Sequence, residues 1–170
     1  RRVGEHVKQA GSLVTAERLR FDFSHHKPVE PEALRDIEAE VNAHIRANAE
    51  VTCEEMPYDA AIKAGALAFF GDKYGDRVRV VRMGAFSTEL CGGTHVARTG
   101  DIGLVKLRGE SGVAAGVRRL EAVSGDGALA LIRAHEDVLA NISALLRGPA
   151  EDAAGKLEKL LAQQRELEKR

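Results

Sequence analysis

The chain has 170 residues, 44% of them hydrophobic and 30% charged, which suits one compact domain with an appendage, or two small units. That balance excludes a disordered chain, and a net charge of −1 excludes a globally basic binder of nucleic acid. Two cysteines make no disulfide framework, no run approaches a membrane span, and the opening "RRVGEHVKQAGS" has no signal-peptide core, so a reducing cytoplasm is the expected setting.

Taken in order, residues up to about Gln9 read as the last turns of a helix stopped near Gly11. The chain starts without Met in that helical tail, so a piece of something longer is expected. "SLVT" and "RLRFDF" read as strands around the link Ala16-Glu17, with Leu19, Phe21 and Phe23 alternating with Arg20 and Asp22. After Pro28 and Pro31, the stretch "PEALRDIEAEVNAHIRANA" is an amphipathic helix with Leu34, Ile37, Val41 and Ile45 on one face. "EVTCEEM" reads as a strand, and "YDAAIKAGALAFF" as a short helix ending near Gly71, with a turn over Asp72–Asp76. "RVRVVRM", "FSTEL", "IGLVKLRGESG" and "GVRRLEAVSG" follow as strands joined by short, glycine-rich links. Neighbouring strands joined so tightly, with helices interspersed, predict an α+β fold, a mixed or antiparallel sheet with helices on one face.

From residue 126 the texture becomes helical. Leu131, Val138, Leu139, Ile142, Leu145 and Leu146 line one side, "RGPAED" interrupts, and Leu157, Leu160, Leu161 and Leu167 recur among charged residues. The sequence therefore predicts a domain over 1–125 and a coiled-coil-like helical connector over 126–170. That connector either packs on its own domain or makes a coiled-coil or dimer contact.

Charge is unevenly placed. From Arg77 to Arg119 eight basic residues face three acidic ones, a local +5. Such a segment either holds phosphates or blocks a sheet edge against aggregation.

The stretch Glu89–Val96, "ELCGGTHV", is the most chemically pointed. Cys91 and His95 offer a thiolate and an imidazole across Gly92 and Gly93, which permit positive φ and a sharp bend. Alone, the spacing is weak evidence for half of a zinc site and favours the plainer reading, a buried thiol near a surface histidine. No other histidines form a helical i, i+4 pair; His25 and His26 are adjacent and would point apart on an extended segment. His6 sits where it could face a site.

"FSTELCGGTHVARTGDIG" followed by "GESGVAAGVRRLEAVSG" resembles the editing domain of bacterial alanyl-tRNA synthetases, and "QAGSLVTAERLRFDFSHHKP" resembles the segment preceding it. The likeness is dense over residues 1–125, and the C-terminal helices resemble the start of that family's connector. It implies hydrolysis of the ester joining serine or glycine to alanine tRNA, with the tRNA acceptor end and the remainder of a synthetase chain as partners. It implies a zinc ion held by Cys91, His95 and a His-x-x-x-His pair, which would lie before Arg1. ATP and Mg belong to the aminoacylation half, to which none of this sequence corresponds. Gln9 matches a glutamine implicated in editing, and Thr94 lies between two ligand positions. Arg118 and Arg119 become candidates for the acceptor end, with at most one facing the site because they are adjacent on a strand. Asp22 reads as a salt-bridge partner for a strand arginine. A tRNA-binding architectural module is the alternative.

Overall fold

The computed structural model describes residues 2–68 and 75–169. The chain divides into two compact units, Arg1–Ala128 and Leu129–Arg170. The first is α+β and contains two antiparallel sheets where the sequence suggests one.

The four-stranded sheet has β1 (Gln9–Val14), β2 (Leu19–Ser24), β6 (Val105–Ala114) and β7 (Val117–Ser124) in the order β1-β2-β7-β6. Its period-two pattern sorts the faces. Phe21 pairs with Leu120 and Phe23 with Arg118 on one side, while Asp22 pairs with Arg119 on the other. The helix expected up to Gln9 does not form. Gly4 at φ +136° breaks helical geometry, Val7 N–H donates to Gly4 O (3.3 Å), and Lys8 O accepts from Ser24 N–H (2.9 Å). Pairing with β2 outcompetes the local helix, and Gln9 opens a strand instead.

The three-stranded sheet has the order β3-β4-β5, from β3 (Val51–Pro57), β4 (Arg77–Met83) and β5 (Ser87–Leu90). It separates because it owns a core. Val80 and Val81 are adjacent on β4 and both fully buried, so the central strand is covered on both faces. Val78, Val80 and Leu90 pack with Ala61 and Ala66, beside Met56 and Tyr58. Ala61 lies on α2 (Tyr58–Lys63), which ends at Lys63 rather than near Gly71; Gly65 at φ +82° takes the chain out of the helix. The expected end at Gly71, and most of the turn before Asp76, lie outside the described residues.

Helix α1 (Pro31–Arg46) has Pro31 in its first turn, where the missing N–H costs nothing, and Glu32 beside the positive end of its dipole. It joins the two sheets through polar groups. The buried Asn42 amide donates to Val105 O (2.8 Å) and accepts from Val105 N–H (2.9 Å), which satisfies the start of β6 as a neighbouring strand would. The Glu38 carboxylate extends that clasp, accepting from Leu107 N–H (2.8 Å) and Lys106 Nζ (2.6 Å). At the C-terminal end of α1, buried Thr99 donates its hydroxyl to His44 O (2.9 Å) and accepts from Ala49 N–H (2.9 Å). Thr99 opens a 3-10 turn over Thr99–Ile102, just after the chain leaves the second sheet.

Helix α3 (Gly125–Leu146) begins in the first unit and continues into the second, which also holds α4 (Ala153–Glu168). The break between the helices falls at "RGPAED". Arg147 takes φ +50°, and Lys156 Nζ donates to Arg147 O (3.1 Å) and Leu146 O (3.4 Å), capping carbonyls that α3 leaves open. Leu145, Leu157, Leu160 and Leu167 are each at least half exposed within this chain.

Asn42→Ala strips the partners from both the N–H and the C=O of Val105. Two groups at roughly 1–3 kcal/mol each when buried would give about 2–6 kcal/mol; because Val105 is only half-buried, a loss in the lower part of that range, about 2–4 kcal/mol, is expected. Urea unfolding of the two proteins measures it; a change under about 0.5 kcal/mol would remove the clasp from the account.

Candidate functional site

The Cys-Gly-Gly-Thr-His segment is a loop fixed at both ends. On entry, Leu90 N–H donates to Leu67 O (2.9 Å) and Cys91 N–H to Arg79 O (3.1 Å), extending the β4–β5 ladder by one residue. On exit, Val51 N–H donates to Ala97 O (2.9 Å), and Arg98 bridges to Glu50. Between these anchors, Arg79 reaches across from β4. Its guanidinium donates to Gly93 O and to Cys53 Sγ (3.1 Å). Neither Gly92 nor Gly93 adopts a positive φ, so the bend comes from the anchors and Arg79 rather than from left-handed glycine geometry.

Within the loop Thr94 is exposed, while Cys91 and His95 are half-buried. Cys91 is a free thiol. His95 Nε2 is buried with no hydrogen-bond partner, an unsatisfied ring nitrogen in a place that water does not reach. A soft thiolate and an imidazole with an unclaimed nitrogen fit zinc chemistry and supply half of a tetrahedral donor set. Among the described residues, the group of three candidate ligands that converges is a different one, His6, His25 and His26. Adjacency predicts that His25 and His26 point apart. The chain bends after β2, and their ring centroids instead lie 5.0 Å apart.

Gln9, Arg118 and Arg119 belong to the other sheet. Gln9 is half-buried at the start of β1 and donates from Nε2 to Ser12 Oγ (3.2 Å). The two arginines point to opposite faces, as adjacency on a strand requires. Arg118 makes a two-pronged pair with Glu110, Nη2 to Oε2 at 2.7 Å, on the face that carries Phe23 and Leu120. Arg119 makes a similar pair with Asp22 (2.7 and 2.9 Å) on the opposite face. Asp22 is thus the salt-bridge partner that the sequence suggests. Each pairing lowers the carboxyl's pKa below its ordinary value, chiefly through the arginine hydrogen bond and against the opposing effect of burial.

The structure therefore gathers Cys91, Thr94 and His95 in one loop and leaves Gln9, Arg118 and Arg119 on the four-stranded sheet, both arginines already neutralised. An apolar hollow of about 450 Å³ is lined by Phe21, Phe23, Leu34, Ile37, Phe86 and Leu120, among others, and by none of these six candidates. Arg79 is the residue that sequence reasoning missed. Its only sequence signal is its place among the β4 arginines, and only the strand register aims it at Gly93.

Residues 78–121 match the family described as the threonyl and alanyl tRNA synthetase second additional domain. Over 168 residues the chain is 56% identical to an alanine–tRNA ligase of Saccharophagus degradans, covering 98% of this chain and 19% of that protein. Similar proteins called alanine–tRNA ligase occur in Methylococcus capsulatus (54% identical over 167 residues) and Nitrosomonas eutropha (53% over 167), again over 98% of this chain and 19% of each relative. The chain thus spans about a fifth of the length of these relatives.

The depressed carboxyls fix a sign for acid stability. Glu110 and Asp22 bind protons more weakly folded than unfolded, so their contribution is complete above the ordinary carboxylate range and is lost as pH falls through the lower folded values. Glu110→Gln removes one of these groups and should flatten the fall in stability below about pH 4. Denaturation midpoints measured from pH 7 down to acid test this; an unchanged slope would contradict the pairing.

Proposed function

We propose that this chain, a segment of alanyl-tRNA synthetase kind, hydrolyses the ester of wrongly charged Ser- or Gly-tRNA for alanine. The observation that carries the reading is the anchored Cys91–His95 loop with its unsatisfied His95 nitrogen, lying inside the stretch that matches the synthetase additional-domain family. The need for such a domain is physical. A pocket sized for a methyl group cannot exclude glycine by size, and an apolar pocket rejects an added hydroxyl only about a hundredfold. A second site that hydrogen-bonds the serine hydroxyl would leave its own polar groups unpaired against alanine and so spare the correct product.

Cys91 and His95 would hold zinc, together with a histidine pair from residues preceding Arg1. Bound there, zinc supplies a positive charge that polarises an ester or its attacking water. The chain's own groups do the positioning. Arg79 holds the loop through Gly93 O, and Thr94 presents a hydroxyl to solvent beside the ligands. The Gln9 amide can both donate and accept, which suits a hydroxyl or a water. Because Arg118 and Arg119 are each paired, they contact the acceptor end only if phosphate displaces a carboxylate. We assign them first to holding the sheet. ATP and Mg are assigned no role in this segment, and likeness to the synthetases makes a cytoplasmic setting the expected one. Among the described residues, no helix is long and apolar enough to cross a membrane. The half-exposed leucines of α3 and α4 are the surface for a coiled-coil or dimer contact, or for the rest of a synthetase chain.

An architectural reading, in which the segment only holds the acceptor stem, gains from one fact. Only two of the four expected zinc ligands lie on the loop, and among the described residues no group of three candidate ligands forms there. Deacylation of seryl-tRNA for alanine, with alanyl-tRNA as control, separates the readings when measured on this chain and on a protein extended upstream with the relatives' sequence. Hydrolysis of the seryl ester alone is expected from the extended protein. Cys91→Ala should reduce it by about a hundredfold or more, since even groups behind a metal ligand are worth about ten- to a hundredfold. Salt-dependent tRNA binding that survives Cys91→Ala, without hydrolysis, would establish the architectural reading instead.

A further inference from the structure

We propose that His6, His25 and His26 form a second metal site, which takes a zinc-class divalent cation on three imidazole nitrogens and leaves the remaining position open to solvent. One nitrogen from each ring lies within 4.8 Å of the other two. His6 Nε2 and His25 Nδ1 are 2.8 Å apart, within hydrogen-bond distance of each other. Ligands at about 2.0–2.1 Å from a tetrahedral zinc sit about 3.3 Å from one another. The closest pair must therefore open by about 0.5 Å, and the widest can close by about 1.5 Å. His25 is buried, but His6 and His26 are exposed, so two of the three rings are at the surface and can make that adjustment.

The site is built rather than incidental. His25 N–H donates to Gly116 O (2.9 Å), which fixes the backbone just beyond β2 to the β6–β7 turn. Ser24 ties the two histidine-bearing segments together; its hydroxyl donates to His6 O (3.2 Å) and accepts from Lys8 N–H (2.9 Å). Gly4 completes the seat. A Cβ there would lie 2.6 Å from His6 Cε1 and 2.7 Å from Nδ1, so the ring occupies space that only glycine leaves free. All three donors are imidazole nitrogens with no thiolate among them, a set suited to zinc, nickel, copper and cobalt rather than to calcium or magnesium. The site is independent of the Cys91–His95 loop, which follows β5 of the other sheet.

The test is calorimetric titration with Zn²⁺, together with Co²⁺ absorption spectra, on four forms of the chain. These are the native form, the Cys91→Ala/His95→Ala double variant, His26→Ala and Gly4→Ala. The double variant should still bind one equivalent of metal and show no thiolate-to-cobalt band. His26→Ala should weaken that binding at least about tenfold with an unchanged far-UV circular dichroism spectrum, because the residue is exposed. Gly4→Ala keeps every ligand and should weaken it as well, by displacing the His6 ring. Absence of binding, binding abolished by the double variant, or binding indifferent to His26→Ala would each overturn the proposal.

Discussion

Two sheets with separate hydrogen-bond ladders become one unit because α1 is fastened to both by buried polar groups. Asn42 closes onto β6 of the first sheet, and Thr99 fastens the C-terminal end of α1 to the turn that follows the second. Buried amides and hydroxyls are costly to leave unpaired, so these contacts specify one arrangement where apolar packing alone would tolerate several. The consequence reaches the candidate site. The loop bearing Cys91 and His95 is spliced between the β4–β5 ladder and the Arg98–Thr99 segment. Its entry therefore inherits the rigidity of the second sheet, and its exit that of α1.

The elements with a strong local signal were legible in the sequence. The alternation of Leu19, Phe21 and Phe23 predicts β2, the Leu34–Ile45 spacing predicts α1, and Pro149 marks the break between α3 and α4. The failures are where tertiary contacts decided. Residues before Gln9 gave up a helical reading to pair with β2. The strands split into two sheets because Val80 and Val81 are buried side by side, and periodicity cannot show which partner covers a strand. His25 and His26 converge because the chain bends after β2, a feature with no distinct sequence signature. Of the site, the Cys91–His95 spacing was visible, but Arg79 was not, since its role depends on a cross-strand reach to Gly93.

Much of the positive charge between Arg77 and Arg119 is engaged within the molecule. The local excess of +5 over Arg77–Arg119 admits a phosphate-binding face as well as a charged, protected sheet edge. Yet Arg118 and Arg119 are matched by Glu110 and Asp22, Lys106 by Glu38, and Arg79 is committed to the loop. Affinity for a nucleic acid, if carried by this unit, must come from exchange of these pairs or from the remaining cations, and a shallow salt dependence is the physical corollary.

The central claim is that the Cys91–His95 loop receives the aminoacylated end of a tRNA. The most direct measurement is an amide chemical-shift map of the upstream-extended protein titrated with adenosine carrying serine through a non-hydrolysable 3′ amide. The account predicts shifts concentrated at residues 91–95 and at Gln9. Shifts confined to α3 and α4, or none at saturating ligand, would contradict it.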